Sequence, residues 1–262
     1  MDLKITDVQN FTLHDGPGIR TTIFLAGCPL SCVWCHNPEA KSQKPTLVFD
    51  VKKCTFCKAC EICPNNVHTF DTAHKIDRSR CTLCGKCIEA CKPKALSMSV
   101  RTLSLNDYLG IVERQARLVG ENGGITFSGG EPLSQGKTLI EFLEKTTIHK
   151  AIETCGYAEE ELFKEVIKSV DFVMFDIKLA DSELHKKYTG VSNDLILKNL
   201  EHLRKSGKPF VLRTPLIPGI TDSQDNLLKI EKIVNGDNWE QLQYNTLTSL
   251  KYERIGENYS LE

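Results

Sequence analysis

The distribution of cysteines constrains this chain more than any other feature of its sequence. Eleven of its 12 cysteines fall before residue 92, and they recur at short, regular spacings. In a secreted chain so many cysteines would indicate disulfides, whereas regular Cys-x2-Cys spacings favour metal binding. The first residues contain no apolar stretch typical of a signal peptide, so a cytoplasmic protein is expected. No apolar run approaches the roughly 18 residues that predict a membrane span.

The first cysteine motif is Cys28-x3-Cys32-x2-Cys35. A 4Fe–4S cluster has four irons, so three thiolates leave one iron open to a ligand that is not protein, whereas electron-transfer clusters usually have every iron ligated. A zinc site is the alternative. Structural zinc normally takes four ligands in paired units, and His36 is poorly placed to share a metal with the cysteine directly before it. The motif therefore predicts a cluster that performs chemistry on a bound ligand.

Two longer cysteine runs follow, each with the spacing Cys-x2-Cys-x2-Cys-x3-Cys. This is the bacterial two-cluster ferredoxin spacing, in which the fourth cysteine of each run ligates the other cluster. The predicted ligand sets are Cys54, Cys57, Cys60 and Cys91 for one 4Fe–4S cluster, and Cys81, Cys84, Cys87 and Cys63 for the other. Two zinc ribbons are the alternative, which eight cysteines at this spacing disfavour. Residues 48–100 are therefore predicted to be an inserted ferredoxin-like domain that is stabilised by its clusters and carries electrons toward the first motif.

Short apolar runs and amphipathic segments alternate in the rest of the chain, which indicates βα repeats around a parallel sheet. The predicted strands are 21–26, 124–128, 151–154, 172–177, 210–215 and 241–244. The predicted helices are 105–118, 137–145, 159–168, 194–205 and 226–234. Six repeats are too few for a closed eight-unit barrel, so residues 1–47 and 101–262 are expected to form a partial (β/α)6 TIM-like barrel. Its ligand loops should lie at the carboxyl ends of the strands.

Composition excludes one class of partner. The net charge is -1, the pI is about 6.7, and Lys and Arg are dispersed along the chain, so no basic surface for nucleic acid is predicted. Cys155 lies outside every cysteine run and is expected to be a small buried residue beside the site. Five histidines lie among polar residues and are expected to be solvated: His68, His74, His149, His185 and His202.

Three further motifs accompany the first cysteine motif. They are His14-Asp15-Gly16-Pro17-Gly18-Ile19-Arg20, the His36-Asn37-Pro38 that follows Cys35, and Gly129-Gly130-Glu131-Pro132. Together these motifs make the chain resemble, from end to end, the glycyl radical enzyme activating enzymes of the radical S-adenosylmethionine (SAM) superfamily. With its insertion, the chain resembles the branch of this family that carries auxiliary clusters. The pyruvate formate-lyase activating enzyme lacks such an insertion.

The resemblance implies that SAM chelates the open iron and that the reduced cluster splits SAM into methionine and a 5′-deoxyadenosyl radical. The radical takes a hydrogen atom from a glycine Cα in the C-terminal glycine loop of a glycyl radical enzyme of the dehydratase, lyase or formate-lyase type. The protein itself positions the reactants and excludes water. A flavodoxin or ferredoxin is expected as electron donor, and the protein is expected to be a monomer. An anaerobic setting is expected because exposed clusters tolerate oxygen poorly.

Roles for single residues are carried over from the resemblance. Cys28, Cys32 and Cys35 are expected to hold the SAM cluster, while Asn37 is a candidate for the ribose and Lys178 for the SAM carboxylate. The methionyl amine is expected at Gly129, Gly130 and Glu131. A monovalent cation, Na⁺ or K⁺, is expected beside SAM on Glu153, Thr154, Asp176 and the Met174 backbone, although the family often has Asp at the position of Glu153. The candidates for holding the partner's glycine loop are Asp15 and Arg213.

Two other functions explain parts of the sequence. A radical SAM enzyme that modifies a small molecule or another peptide would use its auxiliary clusters to bind substrate. The complete ligation predicted for both clusters disfavours this function, because a substrate-binding cluster needs an open iron. A ferredoxin-like electron carrier without catalysis would leave the three-cysteine motif and the Gly129-Gly130-Glu131 loop unexplained.

Overall fold

Twelve strands lie within residues 1–261, the part of the chain that the computed structural model describes. In chain order they are β1 Leu3–Thr12, β2 Ile19–Leu25, β3 Leu47–Phe49, β4 His68–Phe70, β5 His74–Ile76, β6 Leu96–Met98, β7 Arg101–Leu103, β8 Gly123–Gly129, β9 Lys150–Thr154, β10 Phe172–Asp176, β11 Phe210–Leu216 and β12 Trp239–Gln243. The helices in the same range are α1 Lys86–Ala90, α2 Leu105–Val119, α3 Gly136–Leu143, α4 Glu160–Lys168, α5 Ser182–Thr189, α6 Asp194–Ser206, α7 Gln224–Val234 and α8 Thr248–Ile255.

Eight of the strands form one sheet in the order β12-β11-β10-β9-β8-β2-β1-β7. The six strands from β12 to β2 in this order pair in parallel, and β1 is antiparallel to both β2 and β7. The predicted α/β fold with a mostly parallel sheet is therefore confirmed, and β1 and β7 are additions to the six predicted strands. Because the six strands are parallel, the loops at their carboxyl ends meet at one edge of the sheet.

Local sequence sets the helix ends. Ser104, Asp181 and Ser223 directly precede α2, α5 and α7, and each side chain accepts a hydrogen bond from a backbone N–H of the first turn. Gly190 and Gly207 follow α5 and α6 in the left-handed conformation that commonly ends a helix. These short signals set where the helices begin and end.

Aromatic packing joins the helices to the sheet. The buried ring of Tyr108 in α2 lies 5.8 Å from Phe127 in β8 and 5.3 Å from Phe142 in α3, measured between centroids. Phe163 in α4 meets Phe175 in β10 edge-on at 6.1 Å. Burial of each such side chain contributes about 1.5–3 kcal/mol. The core therefore holds the strands rigidly and leaves function to the loops.

The cysteine-rich insertion forms two small antiparallel sheets. Strand β3 pairs with β6, and β4 pairs with β5. Its buried cluster contains only Leu47, Leu96, Cys60 and Cys87, with partly buried side chains around them. A core of this size stabilises a fold weakly, which agrees with the prediction that metal clusters support it.

The prediction that the five histidines are solvated is wrong for three of them. His68 and His74 are each 7% exposed, and His185 is 1% exposed. His185 keeps a hydrogen-bonding partner inside the protein, because its Nδ1 lies 2.7 Å from the Val191 carbonyl oxygen. The prediction that Cys155 is buried is confirmed. No helix within residues 1–261 is long and apolar enough to cross a membrane.

Candidate functional site

The carboxyl ends of the parallel strands surround a cavity of about 220 Å³. It is lined by most of the residues predicted for the SAM cluster and for SAM: Cys28, Cys32, Cys35, Asn37, Gly129, Gly130, Glu131, Glu153, Thr154, Asp176 and Lys178. Met174, Asp15 and Arg213 belong to the predicted site but are not part of this lining. The structure thus brings together side chains from the loops after β2, β8, β9 and β10.

The three cysteines of the first motif lie on the loop after β2. This loop is held by backbone hydrogen bonds from Gly27 N to Ala40 O at 2.7 Å and from Cys28 N to Lys41 O at 3.1 Å. Burial raises the pKa of Cys28 to about 12, and the nearby Glu131 carboxylate and the other two sulfurs add to the effect. Buried thiols this close together resist deprotonation when no metal is bound. A bound metal cation deprotonates a coordinating thiol, so this set of donors fits an iron–sulfur cluster.

Two glycines bring the loop after β8 against the cysteine loop. A Cβ on Gly130 would lie 2.5 Å from the Gly27 carbonyl oxygen and 2.6 Å from that of Ala40. Gly129 has φ +109°, and a Cβ there would meet the backbone of Leu25 at 2.5 Å. Gly130 therefore allows a close approach to the protein's own cysteine loop, and Gly129 allows one to the end of β2.

Glu131 follows these glycines and is 1% exposed. Its Oε1 accepts hydrogen bonds from Leu133 N at 3.0 Å and from the Thr154 hydroxyl at 2.7 Å, and its Oε2 accepts one from Cys155 N at 2.7 Å. Burial raises the pKa of Glu131, and these donors oppose the shift. The carboxylate therefore ties the loop after β8 to the loop after β9.

Two neighbouring carboxylates on the floor of the cavity, Glu153 and Asp176, are each paired with a cation. Glu153 accepts a hydrogen bond from Ser128 Oγ at 2.5 Å and pairs with Arg213 Nη1 at 3.3 Å. Asp176 pairs with Lys178 Nζ at 2.6 Å, and both side chains are largely buried. Burial and the charge of Asp176 raise the pKa of Glu153. Burial alone would lower the pKa of Lys178, but Asp176 and the neighbouring sulfurs outweigh it and raise that pKa.

Beneath this floor, the side chain of Met174 packs with Ala151 and Val211 in a small apolar cluster. Met174 lies in β10, where it is paired with Glu153 of β9 and Val211 of β11. Its carbonyl therefore belongs to the sheet next to Glu153. The three predicted side-chain ligands of the cation, Glu153, Thr154 and Asp176, line the cavity directly above.

The loop between β1 and β2 lines a second cavity, which we call the lower cavity; the cavity beside the cysteine loop is the upper cavity. Asp15 accepts a hydrogen bond from Thr22 Oγ1 at 2.6 Å, and Arg213 Nη2 donates to the His14 carbonyl at 2.8 Å. Arg213 also pairs with Glu240 at 3.0 Å. The lower cavity has a volume of about 580 Å³ and is lined by Leu13, His14, Gly16, Pro17, Phe172, Val211, Arg213, Glu240, Gln241 and Leu242. Leu242 lines both cavities, so they adjoin.

Several residues of the site carry no signal in the sequence. Lys41 lines the upper cavity and lies 4.8 Å from the centre of the Tyr252 ring in α8. Lys251 of the same helix donates to Asn37 Oδ1 at 2.7 Å, while Asn37 Nδ2 donates to the Gly129 carbonyl at 3.3 Å. Helix α8 is more than 200 residues from the cysteine motif, and no local pattern predicts that the two meet.

The cysteines of the insertion group as the ferredoxin spacing predicts. The four from the first predicted set line one small cavity: Cys54, Cys57, Cys60 and Cys91. In the second set, burial raises the pKa of Cys87, and further contributions come from Cys63, Cys81 and Cys84. The fourth cysteine of each run thus lies with the other run, an arrangement that fits two 4Fe–4S clusters. Beside the first set, His68 and His74 come close to Cys60.

The sequence profile of the Radical SAM superfamily matches residues 22–230. The crystal structure of Streptococcus suis SuiB bound to precursor peptide SuiA shares this fold, with a TM-score of 0.52 at 15% identity over 91% of this chain and 42% of that chain. With the cavity above, these findings define the class: the chain belongs to the radical SAM superfamily.

Within that superfamily, two relatives match almost the whole chain. The 4-hydroxyphenylacetate decarboxylase activating enzyme of Clostridium scatologenes is 38% identical over 271 residues, covering 97% of this chain and 87% of the relative. The trans-4-hydroxy-L-proline dehydratase activating enzyme of Clostridioides difficile is 36% identical over 274 residues, covering 100% and 91%. The chain is a glycyl radical enzyme activating enzyme, which confirms the family predicted from its motifs.

Proposed function

We propose that this activating enzyme holds a 4Fe–4S cluster on Cys28, Cys32 and Cys35 and binds SAM in the cavity beside it. When bound, the cluster and SAM supply the 5′-deoxyadenosyl radical that takes a hydrogen atom from a glycine Cα of the partner enzyme. The observation that carries the proposal is the convergence of the cysteine loop, the glycine loop and the charged floor on one cavity. The chain's own task is to orient these reactants and keep water away.

The charged floor fits the polar end of SAM. Lys178 is buried and cationic, so it would attract the methionyl carboxylate, and the carboxylates of Glu153 and Asp176 would hold a monovalent cation in place of one of their present partners. Oxygen ligands of this kind suit a hard cation. Because Arg213 already pairs with Glu153, a bound cation would compete with its guanidinium and shift it toward the lower cavity.

We place the partner's C-terminal glycine loop in the lower cavity. Arg213 lines this cavity and pairs with Glu153 of the site, and Leu242 lines both cavities. Asp15 lies in the adjoining β1–β2 loop, where it accepts a hydrogen bond from Thr22. Leu13, which lines this cavity and is 64% exposed, offers an apolar contact to the glycine loop. The partner is a dehydratase, decarboxylase or related lyase, as for the named relatives.

We further propose that the insertion holds two 4Fe–4S clusters and passes electrons from a flavodoxin or ferredoxin to the SAM cluster. The two cysteine groups support this proposal, since each contains four sulfurs and leaves no iron open. The activase is expected to act as a monomer in the cytoplasm of an anaerobic cell.

The test uses anaerobically reconstituted, reduced protein with SAM and purified candidate partners. We expect 5′-deoxyadenosine and a glycyl radical doublet in the electron paramagnetic resonance (EPR) spectrum of one partner. The Cys35→Ala variant should form no deoxyadenosine and should retain about eight of about twelve irons, those of the two auxiliary clusters. Deoxyadenosine without a radical on any decarboxylase or dehydratase candidate would contradict the proposed partner class, and near-complete loss of iron in Cys35→Ala would contradict an independently loaded insertion.

A further inference from the structure

The β4–β5 hairpin turns two histidines toward the cysteines of the insertion. His68 and His74 are buried, whereas Thr69 and Lys75, the neighbouring residues on the other face, are exposed. The His74 ring stacks on Phe70 at 4.3 Å between centroids, with 22° between the ring planes, and meets the edge of Phe49 at 4.5 Å. The His74 ring is thus held in one orientation by aromatic contacts.

Each nitrogen of His74 has a defined neighbour. Its Nδ1 lies 3.4 Å from Cys54 Sγ, and its Nε2 lies 2.9 Å from Nδ1 of His68 and 3.8 Å from Cys60 Sγ. If Cys54 is a thiolate ligand, a bare Nδ1 lone pair would face a negatively charged sulfur. An N–H at Nδ1 gives a hydrogen bond instead, and Nε2 then accepts from the Nδ1–H of His68. The contacts therefore assign the tautomers of both rings.

We propose that His74 is a positioning residue that raises the reduction potential of the auxiliary cluster on Cys54, Cys57, Cys60 and Cys91 by donating its Nδ1–H to the Cys54 sulfur. This inference rests on the proposed ligation of that cluster. One-electron reduction makes the cluster more negative, so a hydrogen bond to its sulfur strengthens on reduction and favours the reduced form. Within residues 1–261, His68 makes no hydrogen bond to a cysteine sulfur; it acts by fixing the tautomer of His74.

The two cysteine sets differ in this respect. Cys91 of the first set also accepts a hydrogen bond, from Ala95 N at 3.3 Å. Within residues 1–261, no side chain other than the cysteines themselves hydrogen-bonds to the sulfurs of the second set, which comprises Cys63, Cys81, Cys84 and Cys87. We therefore expect the first auxiliary cluster to have the higher reduction potential of the two.

Three variants of the full chain test the inference. His74→Leu removes the N–H, and His74→Asn has nearly the same shape as Leu but keeps an amide N–H near the position of Nδ1. His68→Leu leaves His74 in place and frees its tautomer. Each loaded protein is titrated with dithionite while EPR follows the clusters, and the data are fitted to three one-electron steps. Iron is counted in every sample.

In His74→Leu, we expect the ratio of reduced to oxidised cluster at a fixed potential to fall about tenfold for one step, a shift of about 59 mV, while the other two steps stay in place. His74→Asn should remain within about threefold of the wild type, and His68→Leu should shift the same step in the same direction by less. If His74 acted through packing alone, His74→Leu and His74→Asn would shift the reduction potential equally.

Three results would overturn the inference. The first is an unchanged potential in His74→Leu at full iron content, and the second is an equal shift in His74→Leu and His74→Asn. The third applies if His74→Leu loses about four irons, and it is an unchanged potential in His68→Leu. Failure of the proposed function gives a different result, because a wild-type chain with about four irons instead of about twelve would have no auxiliary clusters to tune.

Discussion

Replacing Glu131 with glutamine tests whether this residue positions the loops or binds SAM directly. Three donors converge on the buried carboxylate: Leu133 N and the Thr154 hydroxyl on Oε1, and Cys155 N on Oε2. A glutamine keeps the shape and one oxygen. Its best orientation places that oxygen at Oε1, which retains two hydrogen bonds and turns the amide NH2 toward the Cys155 N–H.

Glu131→Gln is expected to be destabilising because its NH2 group, a hydrogen-bond donor, would face the Cys155 N–H, which is also a donor. A buried N–H that loses its partner costs about 1–3 kcal/mol, so we expect Glu131→Gln to lower the free energy of unfolding by about 2 kcal/mol. For a chain of this size, each kcal/mol lowers the melting temperature by about 2–4 °C, which gives a decrease of about 4–8 °C. Glu131→Ala leaves all three donors without an acceptor and should cost more.

The assay is thermal unfolding of the loaded protein without SAM, followed by circular dichroism in an anaerobic cell and paired with a SAM binding measurement. Glu113→Gln is the matched control, because Glu113 is exposed on α2, and it should change neither quantity. The result that would refute the reasoning is a wild-type melting temperature in Glu131→Gln together with lost SAM affinity. The carboxylate would then bind the methionyl amine itself.

Three further predictions concern the same loops and floor. Gly130→Ala should lose about four of about twelve irons, because its Cβ would meet the Ala40 carbonyl oxygen at 2.6 Å, whereas Gly110→Ala, with open space around it, should lose none; iron analysis checks both. Asp176→Ala should weaken SAM binding, and an unchanged affinity with and without potassium would remove it from the cation site. In iron-free protein, alkylation of Cys28 should rise about tenfold per pH unit between pH 7 and 10, because its raised pKa of about 12 keeps it protonated there. Alkylation that levels off below pH 10, followed by mass spectrometry, would contradict this.

Most of the parallel strands could be predicted from sequence because they are short runs that are largely buried. Strand β12 is an exception to this burial, since its five residues are exposed or half-buried. Strand β1 could not be predicted, since only Leu3 and Ile5 in it are fully buried and its second half is largely exposed. Helix α5 was also not predicted, because its buried side chains are His185 and Thr189 and it lacks the apolar periodicity of a core-facing helix. The same polar burial explains why His185 was wrongly expected to be solvated.

The grouping of the insertion's cysteines could be predicted because metal ligation relates residue type to spacing, and their ligation of two clusters stays a prediction. The roles of Glu131 and Gly130 were not predictable in the same way, since a motif shows which residues recur and not what they contact. The Gly130 position faces main-chain carbonyls of the cysteine loop, and Glu131 accepts three protein donors. For His68 and His74, the alternation with exposed Thr69 and Lys75 is the signal that could have indicated burial.

Helix α8 links the insertion to the cysteine loop, and packing contributes more to this link than charge. Lys251 donates to Asn37 and pairs with Glu39 at 3.4 Å, both in the cysteine loop. Arg254 pairs with Asp50 of the insertion at 3.1 Å. Both cations are more than 40% exposed, so each ion pair contributes at most about 1 kcal/mol. Tyr252 is 4% exposed, and Arg78 of the insertion donates to the Arg254 carbonyl at 2.9 Å, where a cation also complements the helix C-terminus. The placement of the insertion relative to the cysteine loop therefore depends on a buried face and a helix end that neither cysteine pattern predicts.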